Sequence, residues 1–202
     1  MKEKENRDGK TVFQVRSDGL FQIRSGAHYK INYEERGMNV WLIKPSTDDR
    51  DGKAVIRSRI GLSAEAEVIG PSDDLYALWE KSHRDADVII SDECQFFTPE
   101  QIDGMRRLVD GEDLPVINFG LRTDFLTHLF PGSRRLMEIA DSITEIKTIC
   151  NCGKKATVNA RISGGKVVTE GEQVFLGGND SYVAMCHACW KKRIEQEKKE
   201  RG

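Results

Sequence analysis

The chain has 202 residues, a formal net charge of -2, 32% charged residues and 38% hydrophobic residues. That length suits one α/β domain with a small appendage, and the near-neutral balance carries no global bias toward nucleic acid or a membrane surface. No apolar run approaches the roughly 18–20 residues that cross a bilayer, and the charged start MKEKENRDGK lacks the apolar core of a secretory leader, so a cytoplasmic protein is expected.

Thr11 to Arg16 alternates and predicts a first strand, followed by a turn at Ser17-Asp18-Gly19. A weak helix is expected over 20–36, with Gly37 as its C-cap. Asn39 to Ile43 predicts a second strand, and Lys44 to Lys53 a polar loop holding Asp48, Asp49 and Arg50. Short strands fit within 54–62 and 65–69. Ser72-Asp73-Asp74 caps a helix with Leu75, Leu78 and Trp79 on one face.

Residues 87–91 then read as a buried strand, and Asp92 and Glu93 sit at its carboxyl end. In an open α/β sheet, ligands bind beyond the carboxyl ends of the strands. Side chains alternate along a strand, so adjacent acids point apart and can take different tasks. In phosphoryl transfer one carboxylate holds Mg²⁺ and another accepts the proton of the attacking hydroxyl. An acidic turn closing the strand is the equally economical reading of this stretch alone.

Thr98-Pro99-Glu100-Gln101 is a helix start, with Thr98 as N-cap, Pro99 at the first helical position and Gln101 closing a capping box. That helix is expected to reach about Val109. A buried strand follows at 114–119, a loop at 120–132, a helix at 133–141 and a strand along 142–149. Strands alternating with helices imply a mostly parallel, doubly wound sheet. After residue 149 short strands and glycine turns take over, so the expected division is 11–149, 150–190 and a charged tail, 191–202.

Cys150, Cys152, Cys186 and Cys189 form two close pairs, 34 positions apart from Cys152 to Cys186. Two thiolate pairs at the ends of a β-ribbon can close a tetrahedral, structural Zn²⁺ site, and Gly153 helps the first turn. Two reduced pairs in a small core are the alternative. Cys94 stands alone and reads as a small buried hydrophobe. His187 is expected to point away from the cysteines, and His28, His83 and His128 show no partner in the sequence. The tail interleaves Lys191, Lys192, Arg193, Lys198, Lys199 and Arg201 with Glu195, Glu197 and Glu200, which reads as a solvated helix rather than a nucleic-acid contact.

NYEERGM at 32–38, SRIGL at 58–62, DECQFF at 92–97, GLRTDF at 120–125, ADSITEIKTICNCGKKAT at 140–157 and EGEQVFLGGNDSY at 170–182 resemble the thymidine kinases of the zinc-containing (type II) family. The resemblance spans about residues 32–190. It implies a RecA-like, P-loop-type α/β domain with a small zinc-ribbon or lasso domain. It implies transfer of the ATP γ-phosphate to the 5′-hydroxyl of thymidine, with deoxyuridine as a second acceptor, in nucleotide salvage. A homotetramer is implied with it. Carried over by position, Glu93 resembles the general base and Asp92 the acid that holds Mg²⁺. Asp48 and Arg50 match residues near the metal and phosphates. Phe96, Leu121, Phe125 and Phe130 match walls of the thymine pocket. The backbone of Gln173, Val174 and Phe175 would pair with the base edge, and Tyr182 would contact the sugar side. Gly177-Gly178 would let the backbone approach closely.

The resemblance breaks before Asn32. The family carries there a P-loop, G-x-x-x-x-G-K-[ST], whose backbone cradles phosphates and whose Lys reaches the β/γ oxygens. By spacing it falls at about residues 16–24, where RSDGLFQIR stands. Gly9-Lys10-Thr11 precedes the first strand and lacks the upstream glycine. Arg16 or Arg24 could replace the Lys charge, but a Leu-Phe turn cannot present a nest of N–H groups. The nucleoside side is therefore expected intact and the ATP side impaired. Two origins fit: a locally altered reading frame, or a kinase-like nucleoside-binding protein without a working ATP site.

Overall fold

The computed structural model describes residues 9–16, 26–47, 54–57, 61–173 and 181–200. The first strand, β1 (Thr11–Arg16), lies where its alternation predicts. Helix α1 (Gly26–Glu34) follows, shorter than the expected helix, and the chain leaves it through Gly37 at φ 77°. A glycine is needed there because only a residue without Cβ enters the left-handed region at no steric cost. The turn expected at 17–19 lies outside the described residues.

Strand β2 (Val40–Pro45) runs two residues beyond its expected end. Parallel pairing of Ile43, Lys44 and Pro45 with Glu67, Val68 and Ile69 extends it. Lys44, read from sequence as loop, is thus fully buried in the strand, and its Nζ donates to the Val55 carbonyl at 3.2 Å. The segment after it holds three short strands: β3 (Val55–Arg57), β4 (Ser63–Glu65) and β5 (Glu67–Ile69). The strand expected over 65–69 is split, because residues 63–65 pair with β3 in a separate ribbon while 67–69 join β2.

Helix α2 (Leu75–Ser82) starts at Asp74, whose carboxylate accepts from the Tyr76 and Ala77 amides. Leu75 and Trp79 are buried and Leu78 is half-buried, as one helical face requires. His83, without a partner in the sequence reading, stacks on Trp41 at 4.5 Å and sits 2.7 Å from Glu67. Strand β6 (Val88–Ser91) is buried along its length. Helix α3 (Pro99–Glu112) has the expected Thr98–Gln101 capping box and extends three residues further than its pattern suggests. It closes at Asp113 in the left-handed region.

Strand β7 (Val116–Leu121) begins and ends two residues later than expected. Helix α4 (Pro131–Ile139) starts at its proline, and β8 (Ser142–Ile146) follows. The last part holds β9 (Val158–Ser163), β10 (Lys166–Val167), β11 (Ser181–Met185) and α5 (His187–Lys199). α5 starts four residues before the helix expected from Lys191, so it carries Cys189 and Trp190.

Six strands form one sheet in the order β5-β2-β6-β7-β1-β8, every pair parallel. One strand, β7, separates β1 from β6. On one face, Phe13, Trp41, Ile43, Ile89 and Val116 pack with Leu75, Trp79, Ile102, Met105, Leu108 and Leu136 of α2, α3 and α4. On the other, Leu42, Val88, Ile90 and Phe119 pack with Ala27, Tyr29 and Tyr33 of α1 and with Ile56. Both faces are covered, as a parallel sheet demands. The last part has its own sheet, β10-β9-β11, and its own apolar core with Ala156, Val158, Ala160, Ile162, Val167 and Met185. α5 is tied to this sheet: Glu197 accepts from the Val167 amide at 3.0 and 3.1 Å, and Arg193 donates to the Gly165 carbonyl at 2.6 Å.

Candidate active site

The carboxyl ends of β6 and β7 carry the candidate site. Their register aligns Ser91 with Asn118, and the Ser91 hydroxyl donates to Asn118 Oδ1 at 2.7 Å with both side chains fully buried. This link fixes the strand ends just where β6 delivers the acids. Asp92 and Glu93 are 3% and 6% exposed. Alternation sends Asp92 toward α1: a Cβ built on Gly26, the first residue of that helix, would lie 3.6 Å from Asp92 Cβ. Glu93 departs from the strand at φ 49°, ψ 38°. A left-handed backbone at a residue with a side chain costs roughly 1–2 kcal/mol, so the surroundings must hold it.

Two groups do so. Asp92 Oδ1 accepts from the Glu93 amide at 2.9 Å. Gln95, 1% exposed, donates through Nε2 to Glu93 Oε2 at 2.5 Å and accepts through Oε1 from the Leu121 amide at 3.0 Å. The Glu93 carboxylate is therefore held against the end of β7. The approach needs glycine at position 120, where a Cβ would meet Cys94 Sγ at 2.5 Å and Gln95 Oε1 at 2.6 Å. The Ser133 hydroxyl adds a 2.6 Å bond to the Leu121 carbonyl. Gln95 was not singled out from sequence. Its signal is only its place two residues after the second acid, which carries no weight without the turn.

Aromatic and apolar groups line the same region. Phe96 and Phe130 meet edge to face at 5.6 Å, and Leu121 is half-buried. Phe125 is 1% exposed and lies under the Arg161 guanidinium, 5.4 Å from its ring centroid. Arg161 is the cross-strand partner of Tyr182 in the β9–β11 ladder, so the two side chains share one face. Gln173 Nε2 donates to Asp124 Oδ2 at 3.0 Å. The sequence-predicted residues thus fall into linked groups: Asp92, Glu93 and Leu121 through Gln95; Phe96 with Phe130; Phe125 with Tyr182 through Arg161. Asp124 and Arg161 were also missed, for only the fold brings them to the loop and to Gln173. Asp48, Arg50, Val174, Phe175, Gly177 and Gly178 lie outside the described residues, as do residues 17–24.

Cys150, Cys152, Cys186 and Cys189 converge as predicted, with all four sulfurs within 4.8 Å of one another. Cys152 and Cys186 Sγ are 3.6 Å apart, close to the edge of a tetrahedron with metal–sulfur bonds of about 2.3 Å. The Cys152 amide holds the Cys150 thiol down to about 7. The Cys189 amide likewise lowers Cys186, whose sulfur N-caps α5. Cys189 is pushed up to about 12, first by its contact with Cys152 and then by Cys186 and Cys150. Four thiolates cannot ionise together at this spacing without a cation, and a soft divalent ion supplies that charge. The set has no open position, as a structural site requires. His187 lies outside it and packs against Trp190 at 5.4 Å.

Among the described residues, no helix is long and apolar enough to cross a membrane. A family model described as thymidine kinase matches residues 26–190, beginning at the first residue of α1. A thymidine kinase of Shewanella oneidensis is 44% identical over 166 residues, 81% of this chain and 86% of the relative. One from Legionella pneumophila strain Lens is 46% identical over 165 residues, covering 80% and 79%. One from Ruegeria pomeroyi is 44% identical over 163 residues, covering 79% and 82%. The family match spans the buried acid pair, the aromatic loop and the thiol cluster, and the chain belongs to the thymidine kinase family.

Proposed function

We propose that this chain transfers the γ-phosphate of ATP to the 5′-hydroxyl of thymidine, with Glu93 as general base. The observation that carries the reading is the buried Glu93 carboxylate, anchored by Gln95 in a left-handed turn beside Phe96 and Phe130. The flat, methyl-bearing base fits between apolar and aromatic walls from Phe96, Leu121, Phe125 and Phe130. The family resemblance assigns Tyr182 to the sugar side and the backbone of residues 173–175 to the base edge. Glu93 takes the hydroxyl proton as O5′ bonds to the γ-phosphorus and ADP leaves with the bridging oxygen. Asp92, a hard oxygen donor directed toward the start of α1, would hold the Mg²⁺ that neutralises charge on the phosphates; Asp48 and Arg50 are assigned to the same task by the family resemblance alone. The four cysteines hold Zn²⁺, which secures the β9–β11 ribbon and takes no part in the chemistry. A homotetramer working in the cytoplasm completes the reading; sedimentation of the purified chain at a single-copy mass would remove the assembly from it.

A coupled assay with thymidine and Mg-ATP tests this. Glu93→Gln is expected to lower kcat about 10²–10⁴-fold and to leave thymidine affinity nearly unchanged. An unaltered rate assigns Glu93 another role. One observation favours a second reading, a nucleoside-binding protein with impaired catalysis. Between Arg16 and Gly26 the sequence has no Gly-Lys-[Ser/Thr] to wrap the phosphates. Calorimetry separates the two: thymidine binding without ATP binding supports the second, and ATP affinity near that of the relatives excludes it.

A further inference from the structure

Among the described residues, Asp124 is buried near the site, 5% exposed, and unlike Asp92 and Glu93 it has no task in the proposed reaction. Both of its oxygens are in use. Oδ1 accepts from the Leu126 and His128 amides, each at 2.9 Å, and Oδ2 accepts from Gln173 Nε2 at 3.0 Å. Its own amide donates to the His128 carbonyl at 2.9 Å, and the Thr127 amide donates to the Asp124 carbonyl at 3.1 Å. The first set folds residues 124–128 into a tight turn, with Thr127 at φ 70°, and so sets the direction of Phe125. The second reaches 49 positions along the chain to the cysteine-bearing part.

Two further contacts join the same pieces. Arg122 donates to the Thr157 carbonyl at 3.3 Å, and Arg161 covers Phe125. A buried carboxylate is expensive to desolvate unless both of its oxygens accept hydrogen bonds. Asp124 meets that condition only while the turn and Gln173 are both in place, so ordering one favours ordering the other.

We propose that Asp124 is a positioning residue that locks the Phe125 turn to Gln173, so that the aromatic wall and the cysteine-bearing ribbon order together and set nucleoside affinity. The affinity clause rests on the thymidine reading above; the locking clause does not. Asp124 touches no reacting atom, so its loss moves thymidine affinity and KM far more than kcat.

Hydrogen exchange and thymidine calorimetry on the zinc-loaded full chain test the two clauses separately. In Asp124→Ala, amides in 124–128 and in 158–173 should both exchange faster, and thymidine should bind about tenfold more weakly. Asp124→Asn is the rescuing variant. Its oxygen still accepts from Leu126 and His128, and a flipped Gln173 amide restores the second bond, so protection of both segments should return. Gln173→Ala should loosen both segments alone, yet add little when Asp124 is already alanine, because one interaction cannot be lost twice. Additive effects of the two alanines, or exchange confined to 124–128 in Asp124→Ala, overturn the lock. Wild-type protein that binds no thymidine sinks the nucleoside reading and the affinity clause with it, while the exchange data still decide the lock. Thymidine binding that is intact in a loosened Asp124→Ala overturns the affinity clause alone.

Discussion

Glycine at 132 shows how much of the site depends on close backbone approach. A Cβ there would lie 2.5 Å from the Cys94 carbonyl oxygen, 2.7 Å from that of Phe97 and 3.0 Å from that of Gln95. All three are backbone atoms, so no side chain can swing away. The start of α4 is thus pressed onto the turn that presents Glu93. Gly132→Ala is expected to destabilise the protein by about 1–3 kcal/mol through overpacking and to lower kcat by shifting that turn. Thermal melts with steady-state kinetics check it; a variant with normal melting and normal rate would mean that α4 can slide freely. This constraint was not legible in the sequence, where Gly132 marks only the end of a loop. The acids were legible, because a strand tip followed by two carboxylates is a local pattern. Gln95 and Asp124 were not, because their partners lie 26 and 49 positions away.

At the scale of elements, local signals held where local chemistry decides. The Thr98–Gln101 capping box and the bounds of β1 follow the sequence, since a cap and an alternation are made by neighbours in the chain. The end of β2, the split of 63–69 and the start of α5 did not follow it. Each is set by a partner strand or by the sulfur of Cys186 acting as N-cap. Asp141 joins three elements in the same long-range way. Its Oδ2 accepts from the Thr11 amide of β1 and from Arg106 Nη1 of α3, each at 2.7 Å, at the point where α4 gives way to β8. Arg106 first, then the Thr11 amide, holds the Asp141 carboxyl below its ordinary value. A carboxyl lowered in the folded state stabilises the fold above its unfolded value near 3.9, and that contribution fades as pH falls through this value toward the folded one. The side chain of Asp141 keeps 36% exposure, so screening leaves about 1 kcal/mol. Asp141→Asn should cost about that at pH 7, and the difference from wild type should shrink below roughly pH 4. Urea melts across pH 3–7 measure it; a constant difference would show that the carboxylate charge contributes nothing.

For the whole molecule, the two cores differ in what they require. The parallel sheet buries large side chains on both faces, including Phe13, Trp41, Leu75, Trp79, Phe97 and Phe119. Among the described residues, the fully buried part of the ribbon core is alanines, valines, Ile162 and Met185 with Cys150 and Cys186, and half-buried groups such as Trp190 and Ile194 pack against it. So small an apolar set rarely holds itself together, and a bound metal commonly supplies the remaining stability. Chelation at pH 7 should therefore disorder residues 150–190 while the sheet keeps its helices, and unfolding should pass from one transition to two. Far-ultraviolet circular dichroism would show only a modest loss. Trp190, which packs against that core, would report the first transition, and Trp41 and Trp79 in the sheet core the second. The loop carrying Phe125 would loosen with the ribbon, since Thr157, Arg161 and Gln173 all reach it from that side. Thymidine binding should vanish with the metal and return on adding zinc. A single cooperative transition in chelator would show that the ribbon core stands without the metal, and thymidine binding that survives chelation would show that the aromatic wall is held by the sheet alone.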